Sequence, residues 1–471
     1  MKIRVGKRCF AIAMSVVLLI GLMGGSALAN SAQTNWKGVS ATGAVVTDKD
    51  CPIEVEKEVL TFDLQEFPES YYREEAAYLA YSGKVTAEYT FYNPADYEVT
   101  ATLLFPFGKE PDYAYFSEEE ANIDTEKYDI TIDGRAIAKT MRYSYSDRWE
   151  KFHLEQDLVR LSNEYREDAF YSPELKVWKY TYRVEGSEEA QAPTVAVDMR
   201  TDDDARKVYF VEQSGFYSQE DKTMRLSHWV VPGGSLTLYA LGKPFDEVPE
   251  WTFYQDGGVE DGEEIKGAVT YLGVEEMTFR EMALTKWSKE QGVSEIDWYN
   301  GILAKFLEMN GSILHAWDIG LDLTNQLMRW YEYEITIGPG ERIVNTVTAP
   351  IYPAIDADYE PPVYEYTYLL SPAQTWKSFG ELEIIVNTPY YVIESNTDGF
   401  VKTDTGYRLQ REGLPEEELV FSLSASEKPK VIRNWSGIMW FILALVLQMA
   451  PILLVGVILV IALKLKKGQK R

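Results

Sequence analysis

Apolar residues recur at every second position through much of the chain, the period of strands buried on one face. Val85, Ala87, Tyr89 and Phe91 alternate with polar neighbours, Asn93-Pro94-Ala95-Asp96 supplies turn chemistry, and Val99, Ala101, Leu103 and Phe105 resume the alternation before Pro106-Phe107-Gly108. This predicts an antiparallel hairpin with one buried face. Tyr128 to Ile132 followed by Asp133-Gly134 predicts a second hairpin, of the Asp-Gly type. Leu226 to Val231, Pro232-Gly233-Gly234 and Leu236 to Leu241 predict a third. Tyr331, Tyr333, Ile335 and Ile337 alternate up to the turn Gly338-Pro339-Gly340. Tyr364 to Leu370, then Leu382, Ile384 and Val386, and finally Val420 to Leu423 complete the β signal.

Helical spacing interrupts this pattern twice. Trp149, Phe152, Leu154, Leu158 and Leu161 fit one stripe between Asp147 and Ser162. Ser294 and Asp297 resemble a capping box, after which Ile302, Leu303, Phe306 and Leu307 share a face until Asn310-Gly311 stops the helix. Gln255 to Glu264, rich in acids and glycines, reads as a solvated loop and a candidate boundary. The fold class expected is mainly β: antiparallel β-sandwich-like domains with a helical insertion, plus one C-terminal transmembrane helix. No repeat of fixed period is present.

The ends define an address. Residues 1–29 read as a signal peptide, with Lys2, Arg4, Lys7 and Arg8, an apolar run from Cys9 to Met23, and Ala27-Leu28-Ala29 before Asn30. Ile438 to Leu463 holds no formal charge, and at about 1.5 Å per residue a helix of this length exceeds a hydrocarbon core of about 30 Å. Pro451 can bend it, and Gln448 can bond a freed carbonyl or a neighbouring helix. Trp435 and Trp440 flank its outer end and a Lys-rich tail its inner end, so the positive-inside rule places the body outside. Neither a sortase signal nor a lipobox is found. The expected division is a signal peptide (1–29), a leader (30–50), a β-sandwich-like domain (51–145), a mixed α+β region (146–275) and a helical insertion (276–330). A C-terminal β region (331–425), a juxtamembrane linker (426–437), a transmembrane helix (438–463) and a basic cytoplasmic tail (464–471) follow.

Charge narrows the partners. The 471 residues carry −28, to which the two ends contribute +4 and +5, leaving −37 on residues 30–434. A body so anionic repels phosphate backbones, so nucleic acid is excluded as a partner. The expected partners are the lipid bilayer, through Ile438 to Leu463, and an envelope polymer or surface protein. Cys9 and Cys51 are the two cysteines, and Cys9 leaves with the signal, so the exported body forms no internal disulfide. Cys51 reads as a small core residue, or as a cross-link between two chains.

Glu88 to Pro94, Leu104 to Gly108 and Tyr128 to Gly134 together form a pattern: a Tyr-x-Phe-x-Asn strand, a Phe-Pro exit and an Asp-Gly hairpin. This resembles a domain of unknown function found in exported bacterial proteins, and Tyr368 to Trp376 with Phe379-Gly380 resembles that family's closing segment. A more distant likeness is to the β-sandwich domain preceding von Willebrand type A modules, although the Asp-x-Ser-x-Ser of such a module is missing here. The resemblance implies a sandwich fold and an exported address, with no activity attached.

Chemistry is harder to find. His153, His228 and His315 each sit among apolar neighbours and read as structural. The signatures of zinc proteases, serine hydrolases, P-loops and dinucleotide folds are missing. Asp356, Asp358 and Glu360 have the alternate spacing of an oxygen-ligand loop, and Asp202-Asp203-Asp204 is a second acidic run, but neither has the rest of a helix-loop-helix calcium site. Exposed tyrosines and tryptophans suit sugars or protein partners, although Tyr89, Phe91, Tyr331 and Tyr333 read as core. No catalytic, cofactor-binding or metal residue is assigned, and no cofactor is expected. Three readings stay open: a non-enzymatic surface binding or scaffold protein, which is favoured; an exported carboxylate-dependent hydrolase of envelope polymers; and a subunit of a membrane assembly. Two buried carboxylates facing each other in a cleft would favour the hydrolase.

Overall fold

The computed structural model describes residues 35–36, 41–42, 45–46, 51–67, 78–108, 111, 129–145, 161–219, 221–255, 259, 262–309, 311–314, 321–323 and 326–432. The longer strands are β1 (Glu54–Asp63), β2 (Gly83–Tyr92), β3 (Val99–Gly108), β4 (Asp129–Ile132), β5 (Thr140–Tyr145), β6 (Lys176–Gly186) and β7 (Thr194–Arg200). They continue with β8 (Lys207–Phe210), β9 (Gly215–Ser218), β10 (Thr223–Trp229), β11 (Ser235–Leu241), β12 (Thr252–Tyr254) and β13 (Ala268–Thr278). Helices α1 (Phe279–Ala283) and α2 (Glu295–Glu308) follow. The remainder is β14 (Leu327–Ile337), β15 (Arg342–Ile351), β16 (Ala354–Asp356), β17 (Val363–Leu369), β18 (Phe379–Asn387), β19 (Tyr391–Ser395), β20 (Gly406–Glu412) and β21 (Leu419–Ser424).

An eight-stranded sheet runs Val401–Lys402, β20, β18, β1, β2, β15, β4, Arg135–Ala136, with β1 and β18 parallel and the other neighbours antiparallel. Its inner face shares one core with two other sheets, one containing β3, β14 and β5 and the other β16, β17, β21 and β19. Val85, Ala87, Tyr89 and Phe91 are all buried there, as their period-two spacing predicts. The β residues of 51–145 and 331–425 therefore close a single core, because their strands interleave rather than stack as two units.

The hairpin expected across Asn93 to Asp96 does not form. β2 pairs with β1 and β15, whereas β3 pairs with β14 in a different sheet, so the chain arches from one layer to the other. β14 and β15 make the matching arch through Gly338-Pro339-Gly340. Fully buried Asn93 fastens the two arches together. Its amide lies 2.9 Å from Tyr97 O, 3.0 Å from Ile337 O and 3.1 Å from Gly338 O, while its Oδ1 accepts from Ala95 N–H. Its own N–H donates to Glu341 O, and its carbonyl accepts from Gly340 N–H. Asn93→Ala leaves those buried carbonyls short of donors and should destabilise by about 2–3 kcal/mol. Asn93→Asp, which sets a carboxylate against them, should cost more. Chemical unfolding midpoints check this, and a loss below about 1 kcal/mol for both variants would contradict it.

The predicted hairpin of Leu226 to Leu241 is also an arch. β10 pairs with β7 and β9, but β11 pairs with β6 and β8. The Asp-Gly hairpin does form: Asp133 and Gly134 both take positive φ, 49° and 72°, and join β4 to Arg135–Ala136 in two residues. The expected boundary at 255–264 instead lies inside one sheet, because Tyr254 pairs with Glu264 and Phe253 with Ile265.

β6, β8, β11 and β13 form one face of a second sandwich, and β7, β9, β10 and β12 the other. Tyr182, Val184, Val195, Val197, Leu226 and Leu238 fill its core. The described part of 161–275 thus carries strands and turns. The first of these sheets is covered on its other side by α1 and α2, through Trp298, Tyr299, Ile302, Leu303 and Phe306. Ser294 caps α2 by accepting from Asp297 N–H at 3.0 Å, but the Asp297 carboxylate turns to Arg142 rather than completing the box. Leu307 is half-exposed instead of sharing the buried face.

No described helix is long and apolar enough to cross a membrane. The signal peptide at 1–29, most of the leader at 30–50, nearly all of the helix expected over Asp147 to Ser162, the span at 438–463 and the tail at 464–471 lie outside the described residues.

Candidate functional site

A cleft of about 930 Å³ opens at one end of the eight-stranded sheet, where β1 and β18 run out side by side and β2 and β20 begin. Asp63 and Asn387, the last residues of the parallel pair, stand in register. Asn387 Nδ2 donates to Asp63 Oδ1 at 2.8 Å, Lys84 Nζ lies 2.9 Å from Asp63 Oδ2, and Thr405 Oγ1 donates to Asn387 Oδ1 at 3.0 Å. A relay of four polar side chains is thereby fixed across three strands and one turn. Partial burial pushes the Asp63 carboxyl up, but the hydrogen bonds from Asn387 and Lys84 together outweigh it and hold the group below the usual carboxylate range.

Turn chemistry builds the walls. Thr403 N–H donates to Gly406 O at 2.8 Å, closing the turn that joins Val401–Lys402 to β20. Gly406 has φ +150°, and a Cβ there would stand 1.9 Å from Val386 O, so this close approach needs glycine. Tyr390 is locked, its ring stacked against Phe67 and Tyr364 and its hydroxyl accepting from Phe67 N–H at 2.7 Å. Tyr391 and Tyr407 also line the cleft, half-buried, and Lys402 Nζ sits 4.9 Å from the Tyr391 ring centroid.

The residues singled out in the sequence lie elsewhere. Asp356 Oδ1 accepts from Asp358 N–H in a local turn. Asp202 pairs with Arg200, and Asp203 with Arg206. Among the described residues, no three Asp, Glu, His or Cys side chains gather as a metal site would require. His228 Nδ1 is 3.2 Å from Ser214 Oγ, and burial lowers its pKa. His153 and His315 lie outside the described residues. Cys51 is buried in the first core, as are Tyr89, Phe91, Tyr331 and Tyr333.

Arg142 and Glu58 are among the buried polar groups that had no signal in the sequence. Arg142 binds Asp297 through Nη2 at 3.0 Å and Glu332 through Nη1 at 2.8 Å, tying α2 to β5 and β14. Glu58 is fully buried, with Tyr368 OH 3.4 Å from its Oε1 and no hydrogen-bond partner on Oε2 among the described residues. Burial pushes its carboxyl up to about 7, against the hydrogen bonds of Tyr89 and Tyr368. Neither group lines the cleft.

No protein-family model and no curated protein matches the chain. Among solved structures, one described as a "putative nutrient binding protein" from Legionella pneumophila subsp. pneumophila str. Philadelphia 1 aligns with 83% of this chain and 72% of its own, at 9% identity and TM-score 0.35. A likeness that slight leaves the function to be argued from this chain's own residues.

Proposed function

We propose that this chain is an extracytoplasmic binding protein of the cell surface, anchored by a single span over 438–463 with its short basic tail inside, and that its ligand site is the cleft beside Asp63. The observation that carries the reading is the relay Lys84–Asp63–Asn387–Thr405. It presents pre-oriented polar groups in a concave site walled by tyrosines, the general make-up of a binding pocket.

The hydrolase reading needs a carboxyl held protonated at the ligand. The described carboxyls with raised pKa, Glu58, Glu212 and Glu365, lie outside the cleft lining, and Asp63 is held low. That distribution supports binding without chemistry. The signal at 1–29, Trp435 and Trp440, and the +5 tail support the address.

Protease added to intact cells should remove nearly all of the mature mass and leave a fragment holding the span and the eight tail residues. Protection of the body would overturn the address. Full-length protein in which Asp63 and Asn387 are both replaced by Ala should lose retention on native envelope material, and unchanged retention would overturn the assignment of the site.

A further inference from the structure

On the reading of the cleft as a ligand site, we infer that its ligand is a neutral, hydroxyl-rich chain, a glycan segment rather than a charged polymer. The charge of the lining is the first reason. Asp63 and Asp404 are matched by Lys84 and Lys402, so the cleft is balanced within a body that carries −37. An anionic polymer would be repelled by that body on approach. A cationic one would be drawn to the whole acidic surface and would need no cleft.

The second reason is the hydrogen-bonding inventory. Asp63 spends two of its acceptor positions on Lys84 and Asn387; Asn387 spends one amide hydrogen on Asp63 and one lone pair on Thr405. Each group keeps spare capacity while its partners fix its orientation. Neighbouring donors and acceptors held in this way match vicinal hydroxyls, each of which both donates and accepts. The internal bonds also reduce the ordering that binding would otherwise cost.

Aromatic surface is the third reason. Tyr407, and Tyr391 with Lys402 Nζ over one face of its ring, line the cleft with part of their surface open, and flat rings suit the C–H faces of sugar rings. At about 930 Å³ the cleft sits near the top of the range for drug-sized ligands, which is more room than one sugar ring needs. That room suits several linked sugar rings.

Native affinity electrophoresis of the full chain in a detergent without sugar headgroups tests this, in gels cast with a neutral glucan, a mannan, a xylan or anionic hyaluronan. Retardation by at least one neutral polymer is expected, unchanged by 0.5 M NaCl and weakened at least tenfold in Tyr391→Ala. Thr405→Val, at an exposed position, should weaken it several-fold while the unfolding midpoint of the protein stays within about a degree. Retardation by hyaluronan alone, lost in Tyr391→Ala, would overturn the glycan inference while leaving the cleft as the binding site. Neutral-polymer retardation that neither substitution alters would overturn the assignment of the cleft itself. No retardation in any of these gels would overturn the inference.

Discussion

Glu58→Gln should raise the melting temperature of the protein by several degrees at pH 8 and change it little at pH 4. The Glu58 carboxyl is sealed in the first core, facing Tyr368 and Tyr89 with no cation beside it among the described residues, and burial raises its pKa from 4.5 to about 7. The folded protein thus holds a proton that the unfolded chain releases. The contribution of this group to stability is full below about pH 4.5, falls as pH rises through the interval up to about 7, and stays lost above it. At about 1.4 kcal/mol per pH unit, the shift amounts to roughly 3 kcal/mol. Glutamine keeps the shape and an acceptor for Tyr368 but does not ionise, so this loss disappears. Calorimetry of both proteins from pH 4 to pH 8 is the check. Curves that stay parallel across that range, or a variant less stable at pH 8, would contradict the description of Glu58 as a buried, unpaired acid.

Arg142→Met should destabilise by about 3–5 kcal/mol, the cost of leaving one charge of a buried pair without its partner. Asp297 is almost completely buried and keeps only the N–H of Tyr143, at 3.1 Å, from the set that now surrounds it on β5. Glu332 is partly exposed and can be rehydrated, so the penalty falls on Asp297. Adding Asp297→Asn to Arg142→Met should therefore restore part of the loss, a non-additive result expected for residues in direct contact. Urea midpoints measure all three proteins. A single-variant loss below about 1 kcal/mol would show that the pair does not hold α2 in place.

The strands were legible because their alternation is enforced by burial: Val85 through Phe91 and Tyr331 through Ile337 face one core and read correctly. Their pairing was not. An Asp-Gly dipeptide specifies a two-residue turn by its positive φ, so Asp133-Gly134 was legible as a hairpin. Asn93-Pro94-Ala95-Asp96 and Pro232-Gly233-Gly234 only say that the chain turns, and the layer in which the next strand pairs depends on partners that are not its sequence neighbours, β14 for β3 and β6 with β8 for β11. The Asn of the Tyr-x-Phe-x-Asn pattern proves to be the bolt between two arches, a role that needs Ile337 and Gly338 to be visible. Glu58 escaped notice because a bulge at Glu56 shifts the register of β1, turning an acid into a row otherwise filled by Leu60 and Phe62. The cleft was hidden for a similar reason. Asp63, Lys84, Asn387 and Thr405 are ordinary polar residues at strand ends, and only the parallel pairing of β1 with β18 brings the first and the third together.

Hydrogen exchange of the full chain, with and without solubilised envelope polysaccharide, tests the central claim most directly. A binding protein that uses this cleft should show slowed exchange at 63–65, 387–391 and 402–407, with the second sandwich of β6 to β13 unchanged. Slowing confined to that second sandwich, or none at the cleft segments, would contradict the account.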